Sequence, residues 1–401
     1  MAQPKLDRLV SIDALRGIAV LGILMMNVQA FAMIPQAYEL PTAHMDLTGA
    51  NLTVWWIAHT FFSMKFITIF SALFGAGIIL MVGEGDTKVH YRRMLWLLAI
   101  GLVHAYIFWF GDILVSYALV GMLAVLARRW SARTLGLVGL LLVTLTGLMM
   151  VGAFASFQFI PGGADPVEMG MALSEEDRAA LVATYQAGFV DHIAPNAMMA
   201  AFGQMASLLF FGGRLLGVMF IGMALFKAGF FQARWPMLSY ILLALPALVL
   251  GLGLSAWSAD AAIADNWALE TAWLPTAANY VGSLLAALGY ACVVMILAKL
   301  PFMAWFTHVF AATGRMAFTN YLTQTLIMTF IFVGPPGLGL FGTVERVDQA
   351  QLVLLVWALQ LIWSPLWLAV FRFGPLEWAW RSLTYGKLQP MLKAKPAPAA
   401  V

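Results

Sequence analysis

An imidazole and a carboxylate, His104 and Asp112, lie within one almost wholly apolar stretch, His104-Ala105-Tyr106-Ile107-Phe108-Trp109-Phe110-Gly111-Asp112-Ile113-Leu114. An ionisable group at membrane depth costs about 2.5–3.5 kcal/mol on insertion scales, so such groups are rare there and usually functional. A carboxylate beside a histidine can orient the ring and hold its charge while the other ring nitrogen takes a proton from a hydroxyl or amine. His104 and Asp112 are therefore the candidate catalytic pair. The competing structural reading makes Asp112, which follows Gly111 between two apolar runs, a cap of the second helix, and His104 a satisfied interior polar residue.

Other charged and polar residues also need an explanation. Asp13 and Arg16 share a helix face and can pair; they are either an interfacial ion pair or a cytoplasmic anion site in which Arg16 meets phosphate. Asn27 lies deeper on the same helix, and buried amides often join helices. Lys65 stands near the outer end of its span and can snorkel. Arg214, in Gly212-Gly213-Arg214, sits mid-span and requires a carboxylate, a carbonyl or an anionic ligand. In Gly314-Arg315-Met316-Ala317-Phe318-Thr319-Asn320-Tyr321-Leu322-Thr323-Gln324-Thr325, the polar residues Asn320, Thr323 and Gln324 form a stripe that faces a cavity or another helix. Among the other histidines, His59 is the runner-up to His104.

These residues need a scaffold, and the composition names it. Of 401 residues, 62% are hydrophobic and 10% charged, against about 25% charged in soluble domains. The chain reads as an all-α polytopic bundle in the lipid bilayer. A single cysteine, Cys292, excludes an intrachain disulfide and a thiolate metal site. Ten spans are predicted: 14–33, 66–83, 94–109, 113–127, 134–156, 203–226, 236–256, 277–298, 316–333 and 350–371. A short interfacial helix is expected over 52–63, broken from the second span at Lys65. The longest polar segment is 157–197, in which Ser174-Glu175-Glu176-Asp177 looks like a helix cap. Residues 301–312 are an interfacial helix or part of a broken span. One transmembrane domain, 1–385, is followed by a disordered cytoplasmic tail, 386–401. Ala30-Phe31-Ala32 imitates a signal-peptidase site, but Asp13 and Arg16 at the head of the segment favour a retained span.

Ten spans place both termini on one side. All but four of the 22 Lys and Arg residues then fall on that side, the exceptions being Lys65, Arg178, Arg214 and Arg346. The positive-inside rule makes it the cytoplasm, and the bacterial inner membrane is the expected location. His104 and Asp112 then lie towards the outer face and Arg16 and Arg315 near the inner one. The net charge of +3 comes from loop residues, so no nucleic-acid partner is expected. No Walker A sequence, dinucleotide glycine fingerprint, metal-ligand spacing or H-E-x-x-H is present, and no metal is expected.

Several motifs together resemble one family. They are Asp13-Ala14-Leu15-Arg16-Gly17 leading to Met26-Asn27; Lys65-Phe66 with Phe70-Ser71-Ala72-Leu73-Phe74-Gly75; and Arg92-Arg93 with Gly101-Leu102-Val103-His104 and Gly111-Asp112-Ile113-Leu114. Later ones are Gly314-Arg315-Met316-Ala317 with Thr319-Asn320-Tyr321, and Gly374-Pro375-Leu376-Glu377-Trp378 with Trp380-Arg381. The combination resembles the YeiB-like membrane family of unknown function across nearly the whole chain. Through its first-span D-x-x-R-G motif that family is similar to the transmembrane acyltransferase superfamily, which includes the lysosomal heparan-glucosaminide acetyltransferase and bacterial sugar O-acetyltransferases. The resemblance implies acyl transfer across the bilayer, from acyl-CoA on the cytoplasmic side to a small-molecule, glycan or lipid acceptor at the outer side. It carries over Arg16 and Asn27. The lysosomal relatives use a histidine in the loop after the first span, and the resemblance assigns that role to neither His44 nor His59. A homodimer through lipid-facing helices is expected by analogy.

Three function classes follow. As an acyltransferase, the chain would use His104 as general base, oriented by Asp112, with Lys65 or Arg214 stabilising the oxyanion. Asn27, Asn320 and Tyr321 are further candidate substrate contacts. Arg16 with Asp13, Arg315, and the Arg92-Arg93 pair would hold the CoA phosphates. As a transporter or channel for a small anionic or lipidic solute, it would use Arg214, Asp112 and His104 as a binding or proton-relay site. A structural or regulatory membrane protein is the third class.

Overall fold

Inside lipid, every backbone polar group must be bonded within its own segment, which leaves helices as the natural form for such apolar runs. The computed structural model, described over residues 9–83 and 85–393, contains fifteen α-helices among the described residues. They are α1 (Val10–Ala32), α2 (Gly49–Phe61), α3 (Lys65–Val82), α4 (Lys88–Val103), α5 (Leu114–Ala124), α6 (Ala132–Ala155), α7 (Glu175–Ala187) and α8 (Phe189–Ala206). The series continues with α9 (Gly212–Lys227), α10 (Met237–Ala264), α11 (Trp273–Lys299), α12 (Ala304–Arg315), α13 (Ala317–Phe332), α14 (Arg346–Val370) and α15 (Pro375–Tyr385). Seven helical stretches are long and apolar enough to cross a membrane: Val10–Ala32, Gly49–Val82, Ala132–Phe159, Phe189–Lys227, Met237–Ala264, Trp273–Lys299 and Arg346–Val370.

Helix α1 is the centre of the bundle. In its most apolar window 72% of the residues are buried, against 22% for α10. Its side chains enter two hydrophobic cores, one shared with α4, α5, α13 and α14, the other with α3, α6, α9, α10 and α11. The peripheral helices turn their leucines outward. Leu137, Leu141, Leu145 and Leu148 on α6 and Leu238, Leu242 and Leu245 on α10 are all exposed. Such a belt is what a bundle presents to lipid.

Between membrane helices, association depends on close packing and on small residues at the crossings. Helix α1 crosses α12 where Gly17 meets Gly314. A Cβ at Gly314 would stand 1.8 Å from the Asp13 carbonyl oxygen, and one at Gly17 would stand 2.0 Å from the Phe310 oxygen. Two motifs far apart in the sequence are thus the halves of one crossing. Helices α3 and α9 cross in the same way, through Gly75 against Met219 and Gly222 against Ala72.

Several expectations are met locally. The chain breaks between α2 and α3, where Met64 adopts φ 62°. Ser174 Oγ accepts the Asp177 N–H at 3.1 Å and caps α7. Met316 alone separates α12 from α13, so the 301–312 region forms the first part of a broken helix pair. One predicted boundary differs: the apolar helical stretch that contains 203–226 begins at Phe189, and the polar residues of α8, His192 and Asn196, are buried inside the bundle. Where spans 94–109, 113–127 and 316–333 are predicted, the helices are α4, α5 and α13, of 16, 11 and 16 residues. Of the tail predicted to be disordered, residues 386–393 fold back, and Leu392 bridges to Phe371. Residues 394–401 lie outside the described residues, as does the polar arm with Lys5 and Arg8.

Replacing Gly314 with alanine should destabilise the protein by about 2–3 kcal/mol or abolish folding, since backbone rather than a flexible side chain must move. Gly77→Ala, on α3 with open space around it, should leave stability nearly unchanged. Thermal unfolding of the detergent-purified variants measures both.

Candidate functional site

The His104 ring is buried at the end of α4, where the helix widens into a π-type turn over His104–Phe108 and the Trp109 N–H donates to the His104 oxygen at 2.9 Å. Such turns often occur at functional sites, because they displace one residue from the regular helix face. The widening frees backbone groups, and Asn196 of α8 satisfies them. Its Nδ2 donates to the Ala105 oxygen at 2.9 Å, and its Oδ1 accepts the Phe110 N–H at 2.7 Å. Trp109 stacks on Phe31 of α1 at 4.1 Å. The next turn needs Gly111, where a Cβ would stand 2.4 Å from the Trp109 ring.

Asp112 follows and serves both readings at once. Its Oδ1 accepts the Val115 N–H at 2.9 Å, which caps α5. Its Oδ2 lies 2.6 Å from His104 Nδ1. An ionised carboxylate is an acceptor only, so the ring proton belongs on Nδ1 and the lone pair on Nε2. Thr325 Oγ1 of α13 lies 2.9 Å from Nε2 and can donate to it. The result is a carboxylate–imidazole–hydroxyl relay in a buried site, with the Tyr321 ring 5.4 Å from the imidazole. One turn beyond Thr325, the buried Thr329 hydroxyl has no hydrogen-bond partner among the described residues. It lines an apolar cleft of about 150 Å³ with Phe108, Phe189, Leu326 and Phe330.

Lys65 and Arg214 form a second group. Lys65 Nζ donates to the His59 carbonyl and to Asn279 Oδ1. Arg214 Nη2 donates to the hydroxyls of Thr68 and Ser283. Thr68 stands one turn after Lys65 on α3, so the Arg214–Thr68 bond places the two cations in one polar cluster. Among the described residues, neither cation hydrogen-bonds to His104 or Asp112.

The arginines predicted to hold an anionic cofactor gather at the opposite end of α4. Arg16 pairs with Asp13 at 2.9 Å. Arg93 stacks on Trp380 at 4.0 Å, and the charges of Arg16 and Arg381 bear on it. Arg92 is exposed and reaches Gly386 at the end of α15. Arg315, next to the Gly17–Gly314 crossing, points Nη2 at the Arg372 carbonyl at 3.5 Å.

Two predicted substrate contacts are occupied elsewhere or stand apart. Asn320 Nδ2 donates to the Thr313 oxygen and to Ser364 Oγ, and its Oδ1 accepts from the Trp363 indole. Gln324 bonds Gln360 at 2.9 Å, so the polar stripe of α13 joins helices. Asn27 is half-buried on α1 and makes no hydrogen bond among the described residues. Sequence reasoning missed Thr325 and Asn196. Thr325 shares a face with Tyr321, one turn away, which was the available signal. Asn196 fell in a segment read as an outer loop.

His44 lies elsewhere, in the loop over 33–48. Arg346 holds that loop by donating to the carbonyl oxygens of Pro41, His44 and Asp46. Burial, then the charges of Arg178 and Arg346, lower the His44 imidazole to about 4.

Residues 225–387 match a family model described as "Protein of unknown function (DUF418)". The chain is 31% identical over 400 residues to "Uncharacterized protein YeiB" of Escherichia coli (strain K12), covering 96% of this chain and 99% of the relative. It is 29% identical over 421 residues to "Uncharacterized protein YxaH" of Bacillus subtilis (strain 168), covering 98% of each.

The His44 environment has a measurable consequence. From the ordinary imidazole range down to about 4, the unfolded chain binds a proton that the folded chain refuses. Stability should therefore fall as pH drops through that window and be insensitive to this group above it. Thermal unfolding across that range should show the decline, and His44→Gln should make it shallower.

Proposed function

The chain belongs to the YeiB-like DUF418 family, and from that premise we propose that it is a membrane-embedded acyltransferase. It moves an acyl group from cytoplasmic acyl-CoA to a hydroxyl or amine at the outer side. The observation that carries this reading is His104 held between the Asp112 carboxylate and the Thr325 hydroxyl. In this reading ten segments cross a bacterial inner membrane and both termini are cytoplasmic, with α4, α5 and α13 as the shorter crossings.

The chemistry uses the relay directly. The acceptor takes the place of the Thr325 hydroxyl and donates its proton towards His104 Nε2. As the acceptor oxygen or nitrogen bonds to the acyl carbon, that proton moves to Nε2. Asp112 stabilises the resulting imidazolium through Nδ1–H. The carbon–sulfur bond breaks, and the Nε2 proton passes to the leaving thiolate. Acyl-CoA supplies the activated thioester. Arg16, Arg92 and Arg93, with Arg381, hold its phosphates, and Arg315 flanks them. The apolar cleft beside Thr329 takes the hydrocarbon part of a substrate. A homodimer would use the exposed leucine faces. The buried cations Lys65 and Arg214 favour a second reading, transport of a small anion with His104 and Asp112 relaying protons.

Thioester cleavage by the protein reconstituted in vesicles, followed as released thiol, tests the first reading. His104→Ala should lower the rate by about 100-fold or more, and Asp112→Asn should also lower it. Arg93→Gln should weaken acyl-CoA binding more than it slows the bound complex. Thr325→Val should keep most of the activity. No response to any acyl-CoA, together with solute uptake that needs His104, would establish the transport reading instead.

A further inference from the structure

A buried positive charge is stable only beside a negative group or a dense set of acceptors. Lys65 is fully buried and Arg214 is 5% exposed. Lys65 Nζ donates to the His59 oxygen at 2.9 Å and to Asn279 Oδ1 at 3.1 Å, which leaves one ammonium proton unused. Arg214 Nη2 donates to Thr68 Oγ1 at 2.9 Å and to Ser283 Oγ at 3.0 Å, and the guanidinium lies 4.3 Å over the Tyr280 ring. Nη1 is buried and, among the described residues, makes no well-directed hydrogen bond. Both hydroxyls spend their own protons on the carbonyls of Met64 and Tyr280. Every partner of the two cations is therefore neutral, and no carboxylate among the described residues pairs with either.

Their placement is equally specific. Lys65 is the first residue of α3, directly after the break at Met64. Arg214 stands in the first turn of α9, after a π-type turn over Ser207–Phe211 and two glycines. The Gly75–Met219 and Ala72–Gly222 crossing holds α3 against α9, and the Arg214–Thr68 bond joins them near their starts. The N-terminus of α3 adds positive potential there. Membrane proteins place broken helices and unused donors of this kind around anions.

We propose that Lys65 and Arg214 bind a dianionic phosphate group. One phosphate monoester neutralises both charges, whereas one carboxylate neutralises only one, and its oxygens can take the free ammonium proton and the Nη1 protons. A free phosphate monoester and the headgroup of a phosphatidic-acid-type lipid share this chemistry. The site stands independently of acyl transfer.

The test uses the full-length protein in chloride buffer, at a pH above the second ionisation of phosphate. Thermal unfolding is followed as inorganic phosphate replaces chloride at constant ionic strength. It is repeated in phosphatidylcholine vesicles with and without phosphatidic acid. The expected result is a saturable rise in Tm for the wild type, with binding weakened about tenfold or more in Lys65→Met and in Arg214→Gln. Without phosphate, Lys65→Met should melt no lower than wild type, because it removes an unneutralised charge. A response to inorganic phosphate identifies a free phosphate group, and a response to phosphatidic acid alone identifies a lipid headgroup. No response to either, an equal response in both variants, or a phosphate-free Lys65→Met that melts well below wild type overturns the proposal. Phosphorus-31 resonance of wild-type protein titrated with phosphate needs no variant, and an unperturbed line with both probes likewise overturns it.

Discussion

The 2.6 Å contact between His104 and Asp112 is the interaction around which the surrounding structure is arranged. In a low-dielectric bundle a carboxylate without donors is costly, and so is an imidazole nitrogen without a partner. Asp112 meets that demand with one oxygen on the ring and the other on the N-terminus of α5. His104 meets it with Asp112 on one side and Thr325 on the other. The geometry requires the backbone to leave the regular helix over His104–Phe108, and that departure exposes groups which Asn196 then satisfies. Four helices, α4, α5, α8 and α13, are thereby tied to one imidazole. One buried polar group is thereby a fixed point of the fold.

The same economy explains why the family motifs look scattered in the sequence. Asp13-Ala14-Leu15-Arg16-Gly17 and Gly314-Arg315-Met316-Ala317 meet at the α1–α12 crossing. Thr319 meets Glu377, whose carboxylate accepts from the Phe318 and Thr319 N–H groups and from the Thr319 hydroxyl, and so caps α13. Arg93 meets Trp380, whose indole donates to the Arg93 carbonyl. Glycine at a crossing, glutamate at a helix start and arginine over an indole each have a packing reason. Membership of a motif therefore does not by itself make a residue chemical. Gly17, Gly314 and Glu377 are explained by helix contacts, whereas His104 and Asp112 require a further reason for their presence.

The cations divide by how they are neutralised. Arg16 has Asp13 beside it, Arg93 has an indole face, and Arg346 donates to three loop carbonyls. Lys65 and Arg214 have only carbonyl, amide, hydroxyl and ring partners, so their charge is a cost to the folded state that nothing inside the described fold repays. Sites that spend stability in this way are where proteins commonly keep function. The two polar centres also use different helices, the relay on α4, α5 and α13 and the cations on α3 and α9.

The amino-acid sequence alone determined the class of the molecule, because its excess of apolar residues leaves helices in lipid as the form that satisfies the backbone. It also placed the break at Lys65, the Ser174 cap and the Asp13–Arg16 pair, all set by neighbours within a few residues. That His104 and Asp112 need partners was legible because charge in an apolar run is costly wherever the run folds. Only the tertiary structure decided which hydroxyl faces the imidazole, that Asn320 and Gln324 join helices, and that Asn196 lies inside the bundle. It also set Lys65 and Arg214 into one polar cluster, with Arg214 bonded to Thr68 one turn from Lys65. Those outcomes depend on helices far apart in the chain meeting at particular crossings. The spacing of residues along one helix says which face a side chain shares, but carries no information about what packs against that face.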